Sequence, residues 1–389
     1  MPLNKKSPHP LKRFVFTFLK GLAFFILKKG KPDFNKPINN ILIVNLGLIG
    51  DVLMITPLIR SIRHSFPESK IFVLVPPWSS AVLSFNPNID ELIAYNTFWA
   101  DSEHSHKLKM EHIFETIKLF YNLRKVRFDV IINTWFADQP LTALLIRFFR
   151  SKFIIGFDFP YTKNFYDKFL PFHKDEHIVT NLLSINEWLV DRTTRSNETK
   201  YDLDFYLPLS ENIKNKDFNK LNGKKYLVIS PFSSEKSKQW KIEKWVLLIN
   251  YLKVNFNDLE IVVTGINKFL EQGIELEQQC KYSLINLVGK QNIYQFAYLL
   301  SKASLVITVD SGTLHIAGAF NVPIFVLYSR QYNFKQLLPI GTKYNISVID
   351  VPCAECIYGC NNPICMDHSP EDVSQKICEM LEVRVNHIS

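Results

Sequence analysis

The sequence predicts an α/β protein built from two doubly wound parallel sheets. Short aliphatic and β-branched runs alternate along the chain with longer segments that have helical apolar spacing. This alternation occurs twice, before and after a polar stretch that contains the sequence TTRSNETK. Several apolar runs end in glycine-rich or small polar turns, which is typical of strands that lead into helices.

The first series of elements begins with the buried run ILIV at residues 41–44. Further strands are predicted at residues 71–75, 129–133 and 153–156, and helices at residues 52–66, 114–126, 141–149 and 178–190. In the second series the predicted strands are residues 226–231, 261–265, 285–289, 306–309 and 324–328, and the helices are residues 245–252, 293–301 and 314–319. Both series predict a parallel sheet with helices on its two faces.

These patterns divide the chain into four parts. We predict an N-terminal segment at residues 1–40, a first domain at residues 41–195, a linker at residues 196–210 and a second domain at residues 211–389. Two doubly wound domains of similar size are expected to face each other across a cleft, where ligands bind.

Composition narrows the class of protein. The 389 residues are 47% hydrophobic and 13% aromatic, enough for substantial cores and too apolar for general disorder. A net charge of +9 is compatible with nucleic acid, an anionic membrane or acidic substrates, but no nucleic-acid-binding motif is present, so we expect no nucleic-acid partner. No secretory cleavage pattern follows the early apolar segment, so a cytoplasmic location is expected.

Residues 1–40 are basic and rich in aromatic side chains. The apolar run at residues 14–27 is interrupted by Lys20 and is shorter than the roughly 20 residues that span a bilayer. An amphipathic helix lying on an anionic membrane surface is therefore favoured. A helix packed on the protein, and a single-span anchor or uncleaved signal, are the alternatives.

The stretch VITVDSGTLHIAGAFNVPIFVLY at residues 306–328 combines a strand, a small-residue turn and the start of a helix. Ser311, Gly312 and Thr313 form the predicted turn between Asp310 and the helix that carries His315. Free N–H groups and the helix dipole favour a phosphate at such a site. An ordinary tight strand–helix connection is the alternative.

A second strand–turn–helix unit carries the sequence NLGLIGD. The spacing of Gly47 and Gly50 does not match a dinucleotide-binding fingerprint. Gly50 would allow another molecule to approach the backbone, leaving Asp51 exposed at the mouth of the sheet. The alternative role for Asp51 is that of a helix N-cap.

The loop FSSEKSKQW follows the first strand of the second series. Ser233, Ser234 and Lys238 could bind and neutralise a diphosphate there, although the loop is not a P-loop. A solvated basic loop is the alternative. Near the C-terminus the spacing of four cysteines is close enough for a structural zinc or a redox pair, with local packing or reactive thiols as alternatives: Cys353, Cys356, Cys360 and Cys365.

Together these motifs resemble glycosyltransferase family 9, the bacterial lipopolysaccharide heptosyltransferases. Four segments carry the resemblance in the same order: ILIVNLGLIGDVLMITPLIRSIRHSFPESKI, SSEKSKQW, the segment from NLVGK to IFVLY, and the cysteine-bearing tail. The resemblance implies a GT-B architecture, with two Rossmann-like domains that face a cleft, the donor bound by the second domain and the acceptor by the first.

The resemblance also implies an inverting, metal-independent transfer from a nucleotide sugar, ADP-heptose in the known members. The implied acceptor is a lipid-linked glycan of the lipopolysaccharide core, met at the inner face of the cytoplasmic membrane. No cofactor is required by this reading. Another nucleotide sugar, another surface glycan, and a non-catalytic nucleotide-sugar-binding protein on the same fold are the alternatives.

By resemblance, Asp51 matches the catalytic base, next to the acceptor-side glycines Gly47 and Gly50. Lys238 matches the lysine that binds the diphosphate leaving group. The remaining matches lie on the donor side: Ser233 and Ser234 with the phosphates, Asp310 near the sugar hydroxyls, Ser311, Gly312 and Thr313 as N–H donors, His315 as the motif histidine and Glu271 as a ribose contact. Asn45 departs from the family pattern, which has an arginine there, and the spacing around Glu271 also departs from it.

Overall fold

The computed structural model of the chain describes residues 36–97, 99, 110–135, 139–191, 200–209, 213, 216–330, 333–353, 360 and 362–385. The predicted membrane-surface helix at residues 14–27 lies outside these residues. Within them, no helix has both the length and the apolarity that crossing a bilayer requires.

The first sheet has six parallel strands in the order β3-β2-β1-β4-β5-β6. Its strands are β1 (Asn40–Val44), β2 (Lys70–Val75), β3 (Glu91–Ala94), β4 (Phe128–Asn133), β5 (Ser151–Phe157) and β6 (Lys168–Leu170). This is the Rossmann strand order, in which the direction of winding reverses between β1 and β4. A crevice at the carboxyl ends of those two strands is therefore expected.

The second sheet repeats the same topology, with the order β12-β11-β10-β7-β8-β9. Its strands, also parallel, are β7 (Tyr226–Ser230), β8 (Glu260–Val263), β9 (Ile285–Asn286), β10 (Leu305–Val309), β11 (Ile324–Tyr328) and β12 (Tyr344–Val348). Counted from β7, the order is again that of a Rossmann sheet, and the winding reverses between β7 and β10. The prediction of two doubly wound sheets is confirmed.

Helices cover both sheets. They are α1 (Ile49–Met54), α2 (Thr56–Ser65), α3 (Pro77–Ser80), α4 (Met110–Leu123), α5 (Pro140–Arg147), α6 (Ile178–Val190), α7 (Ile242–Asn255), α8 (Leu270–Gln279), α9 (Ile293–Ser301), α10 (Gly312–Ala319) and α11 (Pro370–Val385). The central strands are buried along their whole length, which explains why they read as continuous apolar runs.

Several predicted helix boundaries differ from those in the structure, including those of α4 and α7. The single helix predicted at residues 52–66 is interrupted at Ile55, between α1 and α2. Pro57 has no N–H for the carbonyl of Leu53, and the hydroxyl of Thr56 donates to that carbonyl instead, at 2.8 Å. Helix α10 begins at Gly312, so Gly312 and Thr313 belong to its first turn rather than to a preceding loop.

The two halves touch through the chain that joins them and through α1 and α10. Arg60 on α2 forms an ion pair with Asp204 and donates to the carbonyl of Asp202 at 2.9 Å. The backbone N–H of Asp204 donates to the hydroxyl of Thr56 at 2.9 Å. Residues 200–209 are thus held on the surface of α2, while the domain boundaries at residues 195 and 211 stay predictions.

Candidate active site

The carboxyl edges of the two sheets meet where α1 packs on α10. A Cβ atom added to Gly50 would lie 2.6 Å from Cδ2 of His315, and one added to Gly312 would lie 3.4 Å from Cγ2 of Ile49. Only a residue without a side chain allows the α1 backbone to come this close to the second domain. The group beside Gly50 in the structure is His315 of the same chain, so the predicted approach of another molecule to this backbone stays a prediction.

Asp51 lies in the first turn of α1, facing this contact. Its Oδ2 accepts a hydrogen bond of 2.8 Å from the backbone N–H of Leu48, as in an acidic helix start. Burial raises the pKa of Asp51 to about 6, the Leu48 hydrogen bond and the charge of Lys238 act in the opposite direction, and the charge of Asp310 adds to the rise. A carboxyl group with this pKa is ionised at neutral pH and is still basic enough to accept a proton.

The loop before Asp51 is braced by polar groups from the neighbouring strands. Asn45 is fully buried; its amide donates to the Thr134 hydroxyl at 3.1 Å, and its Oδ1 accepts from the N–H of Gly47 at 3.0 Å. A Cβ atom at Gly47 would lie 2.6 Å from both Asp51 and Trp135, so glycine is required there for space. Asn45, the departure from the family pattern, therefore fixes the path of the loop.

Lys238 and Asp310 form a largely buried ion pair at the switch point of the second sheet. Their charged atoms are 2.9 Å apart, and the side chains are only 12% and 10% exposed. Lys238 ends the short 3-10 helix Lys236–Lys238 after β7, whereas Asp310 directly follows β10. Glu235 approaches the same ammonium at 3.7 Å. Two carboxylates thus surround one ammonium, so an anionic ligand at this edge has to compete with them for Lys238.

Hydroxyl groups line the same switch point. Ser230 at the end of β7 and Thr313 in the first turn of α10 are joined by a hydrogen bond of 2.9 Å. Thr308 on β10 and Ser311 are joined by one of 3.2 Å. The structure thus places Ser311 and Thr313 on the crevice between β7 and β10, and adds Ser230 and Thr308, which the sequence motifs did not single out.

The two predicted serines of the Lys238 loop differ in environment. Ser233 is buried and its hydroxyl accepts a hydrogen bond of 3.3 Å from the N–H of Glu235, whereas Ser234 is exposed. Ser311 is the N-cap residue of α10, but its side chain makes no capping hydrogen bond. The N-terminus of α10, with its positive dipole end, opens at the same place as Lys238.

His315 is buried against Gly50 on the first domain. Burial lowers its pKa to about 4, Asp310 acts in the opposite direction, and the charges of His177 and Lys238 add to the fall, so the ring is neutral at neutral pH. His177, the N-cap of α6, accepts from the N–H of Val179 at 3.1 Å and therefore donates from Nε2 to the carbonyl of Leu338 at 3.0 Å. His177 thus connects the two domains, and no pattern in the sequence indicates this contact.

Glu271 lies on the first turn of α8, after β8. It is exposed and, among the described residues, it makes no hydrogen bond or ion pair. The stacked rings of Phe232 and Phe269, with centroids 5.1 Å apart, belong to the same edge of the sheet. This stack packs the loop that carries Lys238 against the residues that precede Glu271, and the ribose contact of Glu271 stays a prediction.

The cysteine cluster is described only in part, because Cys356 lies outside the described residues. Cys365 is buried in the core of the second domain, Cys353 is exposed and Cys360 is partly buried; these three are free thiols. In the part of the chain that the structure describes, no group of three or more His, Cys, Asp or Glu side chains is placed to hold a metal ion. The structural-zinc interpretation is therefore not supported by these three thiols.

Comparisons with known proteins identify related glycosyltransferases. The model of glycosyltransferase family 9 (heptosyltransferase) matches residues 116–362. The chain is 28% identical over 288 residues to lipopolysaccharide heptosyltransferase 3 of Escherichia coli, which covers 72% of this chain and 80% of that protein. It is 25% identical over 305 residues to the lipopolysaccharide core heptosyltransferase OpsX of Haemophilus influenzae, covering 77% and 81%.

Solved structures share the fold. The ADP-heptose lipopolysaccharide heptosyltransferase II of Escherichia coli superposes with a TM-score of 0.67 at 19% identity, covering 89% of this chain and 99% of that one. The Escherichia coli heptosyltransferase WaaC, solved with ADP, gives 0.65 at 17% identity, covering 87% and 99%. The GT-B architecture predicted from the sequence is confirmed.

Proposed function

The chain belongs to glycosyltransferase family 9, and on that premise we propose that it transfers heptose from ADP-heptose to a lipopolysaccharide core acceptor. Membership of the family makes it a glycosyltransferase. One observation carries the proposed mechanism of transfer. Asp51, whose pKa is raised, is in the electrostatic field of the Lys238–Asp310 ion pair across the contact between the domains. This arrangement supports a proton acceptor and a cation for the leaving group on opposite walls of one cleft.

Asp51 is the proposed general base. Its carboxylate takes the proton of the acceptor hydroxyl as that oxygen attacks the anomeric carbon of the sugar. The bond from the anomeric carbon to the diphosphate oxygen breaks in the same step, and the electron pair leaves with ADP. A single displacement inverts the anomeric configuration and needs no second carboxylate as a nucleophile. Holding both substrates in the cleft supplies much of the rate.

The second domain is proposed to receive the departing ADP. Lys238 and the N-terminus of α10 direct positive charge at the crevice between β7 and β10, and the hydroxyls of Ser230, Ser311 and Thr313 line it. The developing charge on the diphosphate is stabilised by these fixed groups. We therefore propose that transfer requires no metal ion.

The acceptor is proposed to bind on the first domain, beside Gly47, Gly50 and Trp135. The curated relatives are named for lipopolysaccharide, whose lipid part is embedded in a membrane. A location at the inner face of the cytoplasmic membrane follows from that acceptor. The basic, aromatic-rich residues 1–40 stay a predicted membrane-surface segment.

A donor screen tests this function. The purified chain is incubated with ADP-heptose, ADP-glucose, UDP-glucose and GDP-mannose, each with a heptose-deficient lipopolysaccharide core, and the products are identified by mass spectrometry. We expect product from ADP-heptose alone, an inverted anomeric centre by NMR, and an unchanged rate in EDTA.

Each other outcome contradicts one part of the proposal. Product from a different nucleotide sugar would show that ADP-heptose is not the donor. Retention of the anomeric configuration would show that the reaction is not a single displacement. Loss of activity in EDTA that Mg²⁺ restores would overturn metal independence. Tight binding of ADP-heptose without product from any acceptor would favour a binding protein.

A further inference from the structure

Helix α4 carries an apolar face that points away from the protein. Its inner face packs on the first sheet through Leu119 and Leu123. Its outer face consists of Met110, Ile113, Phe114, Ile117 and Tyr121, of which four are 59–65% exposed and Ile113 is 37% exposed. A surface helix normally has one apolar stripe and one polar one, so an outer stripe of this kind indicates a binding surface.

The spacing shows that this outer face is continuous. Residues 110, 113, 114, 117 and 121 follow the i, i+3, i+4, i+7, i+11 pattern of one side of a helix, opposite the buried residues. The helix has 14 residues, which corresponds to a length of about 21 Å. Isolated exposed apolar side chains need no explanation, but five on one stripe do.

Basic side chains stand at the C-terminal end of this face. Arg124, Lys125 and Arg127 follow α4 and are exposed, and the guanidinium of Arg124 lies 3.3 Å from the ring centroid of Tyr121. Arg150 joins them by donating to the carbonyl of Arg124 at 3.2 Å. An apolar stripe with a cationic end complements the headgroups and acyl chains of an anionic bilayer.

The connectivity of the chain favours a membrane over a protein partner. The amide of Asn40, at the start of β1, donates to the carbonyl of Arg127 at 3.2 Å. The basic, aromatic-rich sequence that precedes β1 is therefore joined to the fold beside the same cationic cluster. The other end of α4 points to the cleft, because a helix between parallel strands runs from the carboxyl edge of the sheet to the amino edge.

We propose that the outer face of α4, with Arg124, Lys125, Arg127 and Arg150, is a docking surface for an anionic lipid bilayer. The surface reaches from the amino edge of the first sheet to the rim of the cleft on the acceptor side. The docked surface would hold the rim of the cleft at the level of the membrane where a lipid-linked acceptor presents its sugars. This role in catalysis rests on the proposed function, whereas the binding of the surface to a bilayer does not.

Vesicle flotation of the full chain tests the surface. The variant Phe114→Gln/Ile117→Gln is compared with Leu247→Gln/Val254→Gln, a control that removes similarly exposed apolar side chains from α7. We expect wild type and control to float with phosphatidylcholine–phosphatidylglycerol vesicles, weakly with phosphatidylcholine alone, and less at high salt. The α4 variant should bind the anionic vesicles on the order of tenfold more weakly.

A second variant on the same face, Met110→Gln/Tyr121→Ser, should give the same loss, and circular dichroism should show all variants folded. Equal flotation of the α4 variants and the control would overturn the proposal, including in the case that residues 1–35 alone bind lipid. A concentration-dependent dimer that only the α4 variants abolish, with flotation unchanged, would instead assign the face to a second copy.

A water-soluble core oligosaccharide separates this proposal from the transferase function. The α4 variants should transfer heptose to that acceptor at the wild-type rate, since α4 lies outside the catalytic cleft. If wild type makes no product but floats, the transferase proposal fails and the docking surface stands. If product forms and the α4 variants float as well as wild type, the transferase proposal stands and the docking surface fails.

Discussion

The two sheets have the same strand order, but their carboxyl edges are chemically different. The first edge offers one carboxylate, Asp51, whose pKa is raised to about 6 by burial. The second offers the ion pair of Lys238 and Asp310, together with hydroxyls and a helix N-terminus. A Rossmann sheet creates the crevice in both cases, and the side chains placed there decide its chemistry.

The difference between the edges lies in how each charge is held. Asp51 has few compensating partners, so its proton affinity is high. Lys238 is held between Asp310 and Glu235, and a new anion can compete with these carboxylates for its ammonium group. One edge is therefore suited to accept a proton and the other to bind negative charge. Variants at each edge should therefore affect proton transfer and anion binding separately.

The largest effect is expected for Asp51→Asn. Removing a general base should reduce kcat about a thousandfold, while the binding of ADP, measured by calorimetry, stays unchanged. The control Asp258→Asn removes an exposed carboxylate from the turn before β8, at the amino edge of the second sheet, and should keep the wild-type rate. If Asp51→Asn retains turnover, Asp51 is not the base.

The Asp51→Asn variant should be more stable than wild type at high pH, although it is less active. The folded-state pKa of Asp51 is raised, so its contribution to stability is present below the unfolded-state pKa and is lost as pH rises through about 6. Asp51→Asn should therefore increase the free energy of unfolding at pH 8 by about 1–3 kcal/mol, with little change at pH 4. Urea unfolding at both pH values measures this.

Breaking the ion pair is expected to have the next largest effect. Lys238→Met leaves Asp310 buried without its cation and should cost about 3 kcal/mol of stability and weaken ADP binding. The double variant Lys238→Met/Asp310→Asn should recover most of the stability but not the ADP affinity. Recovery of ADP affinity in the double variant would show that Lys238 acts only through Asp310.

The smallest effect is a shift in the pH profile. In wild type, kcat/KM should rise with pH through about 6, because the deprotonated form of Asp51 is the active one. The charge of Asp310 contributes to the raised pKa, so Asp310→Asn should move the rising limb to lower pH. A limb that stays in place would mean that the cleft does not couple the two carboxyl groups.

Much of the fold could be predicted because its signals are local. Helix α9 and strand β11 have the predicted ends, since their apolar runs are bounded by residues that cap or break them. The sequence patterns do not predict β3, β6 and β12, because these edge strands are not continuous apolar runs. The break at Ile55 followed from Pro57 but was hidden by continuous apolar spacing.

The candidate site was predictable where a motif carried it. Asp51, Lys238 and Asp310 come from three separate stretches, and the structure brings their charges into one field. Thr134 and His177 could not be predicted, because their importance depends on contacts with Asn45 and Leu338, which are distant in the sequence. Hydrogen bonds between distant residues leave no periodic signal in a single sequence.

The contact between Gly50 and His315 shows how closely the two domains lie. With 2.6 Å between a hypothetical Cβ atom and the imidazole, one methyl group at this position would act as a wedge. The absence of a side chain at Gly50 thus allows the first domain to lie directly against the second, one residue before Asp51.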